Sequence, residues 1–142
     1  NPRVKVRDLV LAQAATTDSA IIKDAFGHYH FAPIADFGLL RSAADKAKAR
    51  GLNAQVGNML SSDIFYHVEP GMAGYGALLA HGILGVEMES AALYLLAARF
   101  GVKALTVCTV SDDLVTGAAM DAGERQSSLK DMVELALDVA VE

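Results

Sequence analysis

Two pairs of acids stand where apolar runs stop. In GILGVEMESAALYLLAARFG, Gly82 to Gly101, Glu87 and Glu89 flank Met88 between an apolar stretch and a run rich in alanine and leucine. In LTVCTVSDD, Asp112 and Asp113 follow Ser111 at the end of a run without charge. Carboxylates in such places can do two kinds of work. An ionised carboxylate accepts hydrogen bonds from neighbouring hydroxyls, which is how proteins hold a sugar diol. A carboxyl kept from water retains its proton and can deliver it as a general acid.

Each of these residues also has a plainer reading. Two positions apart on an extended backbone, Glu87 and Glu89 point to one face. Glu89 also falls near a helix start, where negative charge is favoured, so the pair reads equally as solvated helix-start acids. Ser and Asp are ordinary turn and cap residues, and Ser111-Asp112 alone reads first as a turn. Arg125, in GERQSS, is the single arginine of the last forty residues. It reads as a surface residue in the first turn of a helix, where a cation is mildly disfavoured. Phe65 and Tyr66, in SSDIFYHV, read as an aromatic cover for a sheet edge. His28 and His30 have no cysteine or histidine cluster at metal-site spacing to join, so they read as loop residues and no metal is expected. Cys108 reads as a buried, inert residue.

The elements that must position these groups follow from periodicity. Asp8 to Thr16 predicts a strand, Thr17 to Pro33 a long polar loop, and Asp36 to Arg50 a helix stopped by Gly51. Asn53 to Leu60 predicts a second strand, followed by a loop with Pro70, Gly71, Gly74 and Gly76. A short helix is expected over Tyr75 to His81, a third strand over Ile83 to Met88, and a helix over Glu89 to Phe100 with Gly101 as its stop. Ala104 to Val110 predicts a fourth strand and Ser111 to Gly117 a polar loop. Asp121 to Val141 predicts a closing helix with Met132, Leu135 and Val139 inward. Strands alternating with helices, the last strands apolar throughout, indicate a mixed, largely parallel sheet flanked by helices in one α/β domain over residues 1–142. Ligands of such sheets sit beyond the carboxyl ends of the strands, so the two acidic strand ends are candidates for one shared site.

Composition narrows the function classes. The chain has 142 residues, 53% apolar and 20% charged, with net charge −5. That describes a globular domain with a real core. No basic stripe exists, so nucleic acid is not an expected partner. No apolar run approaches the ~20 residues a membrane span needs, and NPRVKVRDLV lacks the apolar region of a signal peptide. One cysteine forms no internal disulfide, and a cytoplasmic location is expected.

Taken together, GILGVEMESAALY, KALTVCTVSDDLVTG and ERQSSLKDMVELAL closely resemble the C-terminal portion of bacterial purine nucleoside phosphorylases of the small-subunit, hexameric type. KVRDLVLAQAATTDS, FAPIADFGLLRSA and VGNMLSSDIFY match the same family in the same order. The resemblance implies phosphorolysis of purine (deoxy)ribonucleosides to free base and (deoxy)ribose 1-phosphate, with phosphate as co-substrate and no cofactor. It implies that Glu89 holds the ribose hydroxyls, that Met88 packs on the sugar, and that Glu87 and Val86 line the same wall. Phe65 would pack on the purine with Tyr66 beside it, and Ser111 would neighbour the base. Asp112 would be the acid for N7, and Arg125 would approach it when the last helix rearranges. An ordinary aspartate is ionised near neutrality, so an acid here needs burial, whereas a neighbouring arginine favours the charged form. The expected resolution is an arginine that is distant in an open state and arrives on closure.

The family carries a further N-terminal part, with a glycine-containing phosphate loop and phosphate-binding arginines, that these residues do not supply. The resemblance therefore implies a sheet lacking its N-terminal part, with one edge exposed. The alternatives are a nucleosidase of the same superfamily, which uses water, and an inactive nucleoside-binding fragment. The spacing that supplies Arg125 favours the phosphorylase, and the aspartate motif favours purines over uridine.

Overall fold

The computed structural model describes residues 1–64 and 75–141, the side chains of residues 126–128 excepted. Its centre is strand β1, Leu9–Thr17, whose first four residues are buried. Strand β2, Ala54–Ser61, pairs parallel to it. The two-residue strand β3, Val86–Glu87, pairs parallel to the end of β2. Strand β4, Thr106–Thr109, runs antiparallel on the other side of β1, giving the order β3-β2-β1-β4. The sheet is mixed, as the alternating pattern implies, but its last strand is reversed.

Two helices cover one face. Helix α2, Phe37–Ala49, starts on the carboxylate of Asp36, which accepts from the Leu39 N–H at 2.9 Å. Helix α5, Ala122–Ala140, starts with a reciprocal capping box between Asp121 and Glu124. Ala43 and Ala47 of the first and Leu135 and Val139 of the second close on Leu9 and Leu11, with Met132 packed against them. Arg50 then ties the end of α2 to Glu134 and Asp138 of α5, at 2.7 and 3.3 Å.

The opposite face carries Val10, Ala12 and Met59, with Val4 and Leu84 over them. Gly57 is required there: a Cβ would lie 2.5 Å from Leu84 Cδ1. Helix α4, Ser90–Phe100, packs on β1 and β2 and ends at Gly101 in the left-handed conformation. Its Tyr94, 1% exposed, donates its hydroxyl proton to the Ala12 carbonyl and accepts from the Thr106 N–H at 3.0 Å. Ala12 and Thr106 are the last pair between β1 and β4. A bulge follows at Gln13, and the free edge of β1 then bonds the 33–35 segment, with Ala15 N–H to Pro33 and Ala35 N–H to Gln13. Tyr94 thus fills the place where the ladder changes partners.

Three expectations differ in detail. The 17–33 stretch contains a short helix α1, Ile21–Phe26, which buries no residue and so leaves no apolar period to read. The third strand is shorter than Ile83 to Met88. Backbone bonds from Leu84 to Glu87 do follow β2, but the chain turns into α4 after Glu87. The expected 75–81 helix is the single turn α3, Gly76–Ala80.

Candidate functional site

The reversed β4 changes how the two acidic ends meet. Glu87 pairs with Ser61 at the carboxyl end of β2, whereas Thr109 of β4 pairs with Leu9 at the amino end of β1. The two acids therefore do not share one end of the sheet, as a parallel arrangement would have it. They share a cavity instead. A hollow of about 290 Å³ runs along the sheet face, with Met59, Leu60, Leu84, Val86 and Glu87 on one side and Cys108 to Val115 on the other. Burial and then the charges of Glu87 and Glu89 push the Cys108 thiol up to about 11. That couples the β3 end electrostatically to the middle of β4.

On the β3 side, Glu87 is fully engaged. One oxygen accepts from the Ser61 hydroxyl. The other accepts from the N–H groups of Glu89 and Ser90, at 2.8 and 2.7 Å. Ser61 Oγ in turn accepts from the Ala91 N–H at 2.9 Å. Glu89 is the N-cap residue of α4, with φ −126° and ψ −28°, so the extended backbone that would align it with Glu87 ends before it. Its carboxylate is exposed and accepts a 3.3 Å bond from the Met88 N–H. Met88 is 45% exposed. Met88 and Glu89 stand beyond the lining of the cavity, whereas Val86 and Glu87 belong to it.

On the β4 side, Ser111 and Asp112 line the cavity, and Arg125 of α5 pairs with Asp112 from outside that lining. Asp112 accepts from Ser111 Oγ at 2.6 Å through one oxygen and from Arg125 Nη2 at 3.0 Å through the other. The pair is formed in this structure, the arrangement expected on closure. The reason is local. Asp112 bridges to Ala119, and the intervening turn is held by Asp113, whose carboxylate accepts from the Val115 and Thr116 N–H groups. Those bonds, first that of Val115, hold the Asp113 carboxyl below its ordinary range. The turn returns the chain to Asp121, where the capping box starts α5 and Glu124 pairs with Arg7. Arg125 then lies in the first turn of α5, above the end of β4. Its mild misfit with the helix dipole is offset by Asp112.

Phe65 and Tyr66 lie outside the described residues. The segment that leads to them is anchored by Asp18, which accepts from Ser62 Oγ at 2.6 Å and from the Asp63 N–H at 2.9 Å. His28 and His30 line a different hollow, at the carboxyl end of β1, with Lys23 and Tyr29. Among the described residues, no group of three or more His, Cys, Asp or Glu is placed to hold a metal. Reading the sequence misses Ser61, Asp18 and Tyr94. A lone hydroxyl or carboxylate at a strand end carries no periodicity, and its partner is distant in the chain.

Comparison with known proteins gives a consistent set of relatives. The family model described as Phosphorylase superfamily matches residues 1–142. A purine nucleoside phosphorylase DeoD-type of Yersinia enterocolitica is 50% identical over 135 residues, which are 95% of this chain and 55% of that protein. The protein of the same name from Caldanaerobacter subterraneus subsp. tengcongensis is 50% identical over 139 residues, 98% of this chain and 59% of that one. That of Xenorhabdus nematophila is 49% identical over 135 residues, 95% and 56%. The chain thus spans 55–59% of the length of these relatives.

Proposed function

The chain belongs to the phosphorylase superfamily, and we propose that it carries the nucleoside-binding side of a purine nucleoside phosphorylase. The observation that carries this reading is the Asp112–Arg125 pair at one wall of a cavity whose other wall leads to Glu89. The reaction is phosphorolysis. The bond from C1′ to N9 breaks and its electron pair passes to the purine, while an oxygen of inorganic phosphate bonds to C1′. A purine anion leaves poorly, so a proton delivered to N7 lowers the barrier, by about 10²–10⁴-fold for general acid catalysis of this kind.

Asp112 is the proton donor. Its two oxygens accept from the Ser111 hydroxyl and from Arg125, and it is the group that hands a proton to the base. Arg125 then favours transfer onward to N7, because the carboxylate left behind is the form it stabilises. Glu89 accepts from the ribose hydroxyls, Met88 packs on the sugar, and Val86 and Ser111 line the way to the base. Phe65 and Tyr66 pack on the purine. No metal or organic cofactor takes part. The relatives' names support purine nucleosides as substrates. A hexamer in the cytoplasm is the assembly and location that go with this reading, and no helix among the described residues is long and apolar enough to cross a membrane.

The test is purine release from inosine, with and without inorganic phosphate. It is run on this chain alone and on this chain with the unmatched segment of the Yersinia relative added. Release that requires phosphate supports the reading. Release without phosphate makes the protein a nucleosidase. Inosine bound but never cleaved, in either preparation, makes it a nucleoside-binding module.

A further inference from the structure

Glu87 is poorly placed to serve a sugar, because the fold already uses both of its oxygens. One accepts from Ser61 and the other from two successive amides, Glu89 and Ser90. The next amide, Ala91, donates to Ser61 Oγ at 2.9 Å. These are N–H groups that have no partner within a helix, and one carboxylate and one hydroxyl hold all three. Helix α4 has no side-chain cap from its own N-cap residue. Ser61 is 4% exposed and ends β2, directly across the ladder from Glu87. The Ser61 hydroxyl proton goes to Glu87 while its oxygen receives Ala91, so the residue joins strand to helix in both directions.

We propose that Ser61 is a positioning residue for Glu89: through Glu87 it locks the first turn of α4 to the end of β2, so that Glu89 and not Glu87 meets the sugar diol. This rests on the ribose reading of Glu89. A diol is held by one carboxylate when both hydroxyls reach it together, and small displacements of such a group weaken the fit. The locked backbone leaves the Glu89 side chain exposed and its Cα fixed. Glu87→Gln breaks the same device differently. If the amide oxygen keeps the two backbone N–H groups, the amide nitrogen faces Ser61, and the serine proton loses its acceptor.

The experiment is calorimetric titration of this chain with inosine and, separately, with hypoxanthine, which lacks the sugar. Ser61→Ala is expected to lower inosine affinity about tenfold and to leave hypoxanthine within about twofold, the loss typical of one hydrogen bond to a charged group. Ser61→Thr, which keeps the hydroxyl, restores inosine binding. Amide exchange at Ser90 and Ala91 speeds up in Ser61→Ala before any ligand is added. The inference is overturned if Ser61→Ala and Glu87→Gln both keep the wild-type preference for inosine while Glu89→Gln loses it; the ribose reading then stands alone. If the wild type binds both ligands alike and Glu89→Gln changes nothing, the ribose reading falls and the inference with it. Should Ser61→Ala fail to fold by circular dichroism, the Glu87→Gln and Ser61→Thr pair decides the same question.

Discussion

The two walls of the cavity are built on different principles. At the β3 wall, Glu87 is tied to the backbone: two amides and a buried serine hold it, and a helix start depends on it. At the β4 wall, Asp112 is tied to side chains: a serine hydroxyl and an arginine that is itself 53% exposed. Backbone bonds form with the fold and are renewed whenever it folds. An ion pair between a 26% exposed carboxylate and an exposed guanidinium is screened by salt and contributes little to stability. The first wall is suited to holding a shape, and the second to changing a charge. A sugar needs a fixed frame, and a proton donor needs a partner that can come and go.

This contrast predicts that activity and stability separate between the walls. Asp112→Asn is expected to lower phosphate-dependent purine release by about 10²–10⁴-fold. The same substitution shifts the free energy of unfolding by less than about 1 kcal/mol, read from urea melts. A nucleoside whose base already carries a fixed positive charge on N7 should escape most of the loss, since it leaves without a proton. Full activity of Asp112→Asn on inosine would break the assignment.

Glu87→Ala sharpens the other side. It strands two helix-start N–H groups, those of Glu89 and Ser90, and leaves the Ser61 hydroxyl proton without its acceptor, so a loss of about 1–3 kcal/mol of stability is expected, measured by the same melts. A cost no larger than that of Asp112→Asn would erase the distinction between the walls. Arg125→Ala, by contrast, is expected to change stability by less than about 1 kcal/mol. Raising ionic strength from about 0.05 to 0.5 M should weaken nucleoside turnover in the wild type more than in Arg125→Ala, because salt acts on the pair that the variant lacks.

The smallest effect is at Cys108, on the β4 wall. Its thiol is raised from 9.0 to about 11 by burial and by Glu87 and Glu89. The unfolded chain loses this proton first, so the contribution to stability is complete below pH 9 and fades as pH rises toward 11. Thiol titration with a chromogenic disulfide should find the folded chain slower than the urea-unfolded chain at pH 8 to 9. Cys108→Ala should flatten the part of the alkaline loss of stability that this group causes.

Much of this was legible in the chain. Asp36 and Gly51 bracket a helix that runs over Phe37–Ala49, and Gly101 stops α4. Leu135 and Val139 are inward, as the period of the last helix requires. Glu89 does sit at a helix start. These are local matters, settled by caps, by the 3.6-residue period and by glycine's access to positive φ. Of the residues expected from the chain to form a site, Val86, Glu87, Ser111 and Asp112 line one cavity. The route to that expectation was not sound, since it placed both acids at one end of a parallel sheet. Nothing in Thr106–Thr109 marks a strand as antiparallel: an apolar, β-branched run fits either direction.

What the amino-acid sequence determined by itself was therefore the set of elements, the apolar faces and the kinship of the chain, because each depends on residues close in sequence or on patterns long enough to be specific. Only the tertiary structure decided that β4 runs backwards, that Arg125 already lies on Asp112, and that Glu87 belongs to Ser61 and the first turn of α4 rather than standing free beside Glu89. The physical reason is the same in each case. A polar side chain takes whichever donor or acceptor the fold brings within about 3 Å, and strand pairing brings together Ser61 and Glu87, 26 positions apart in the chain.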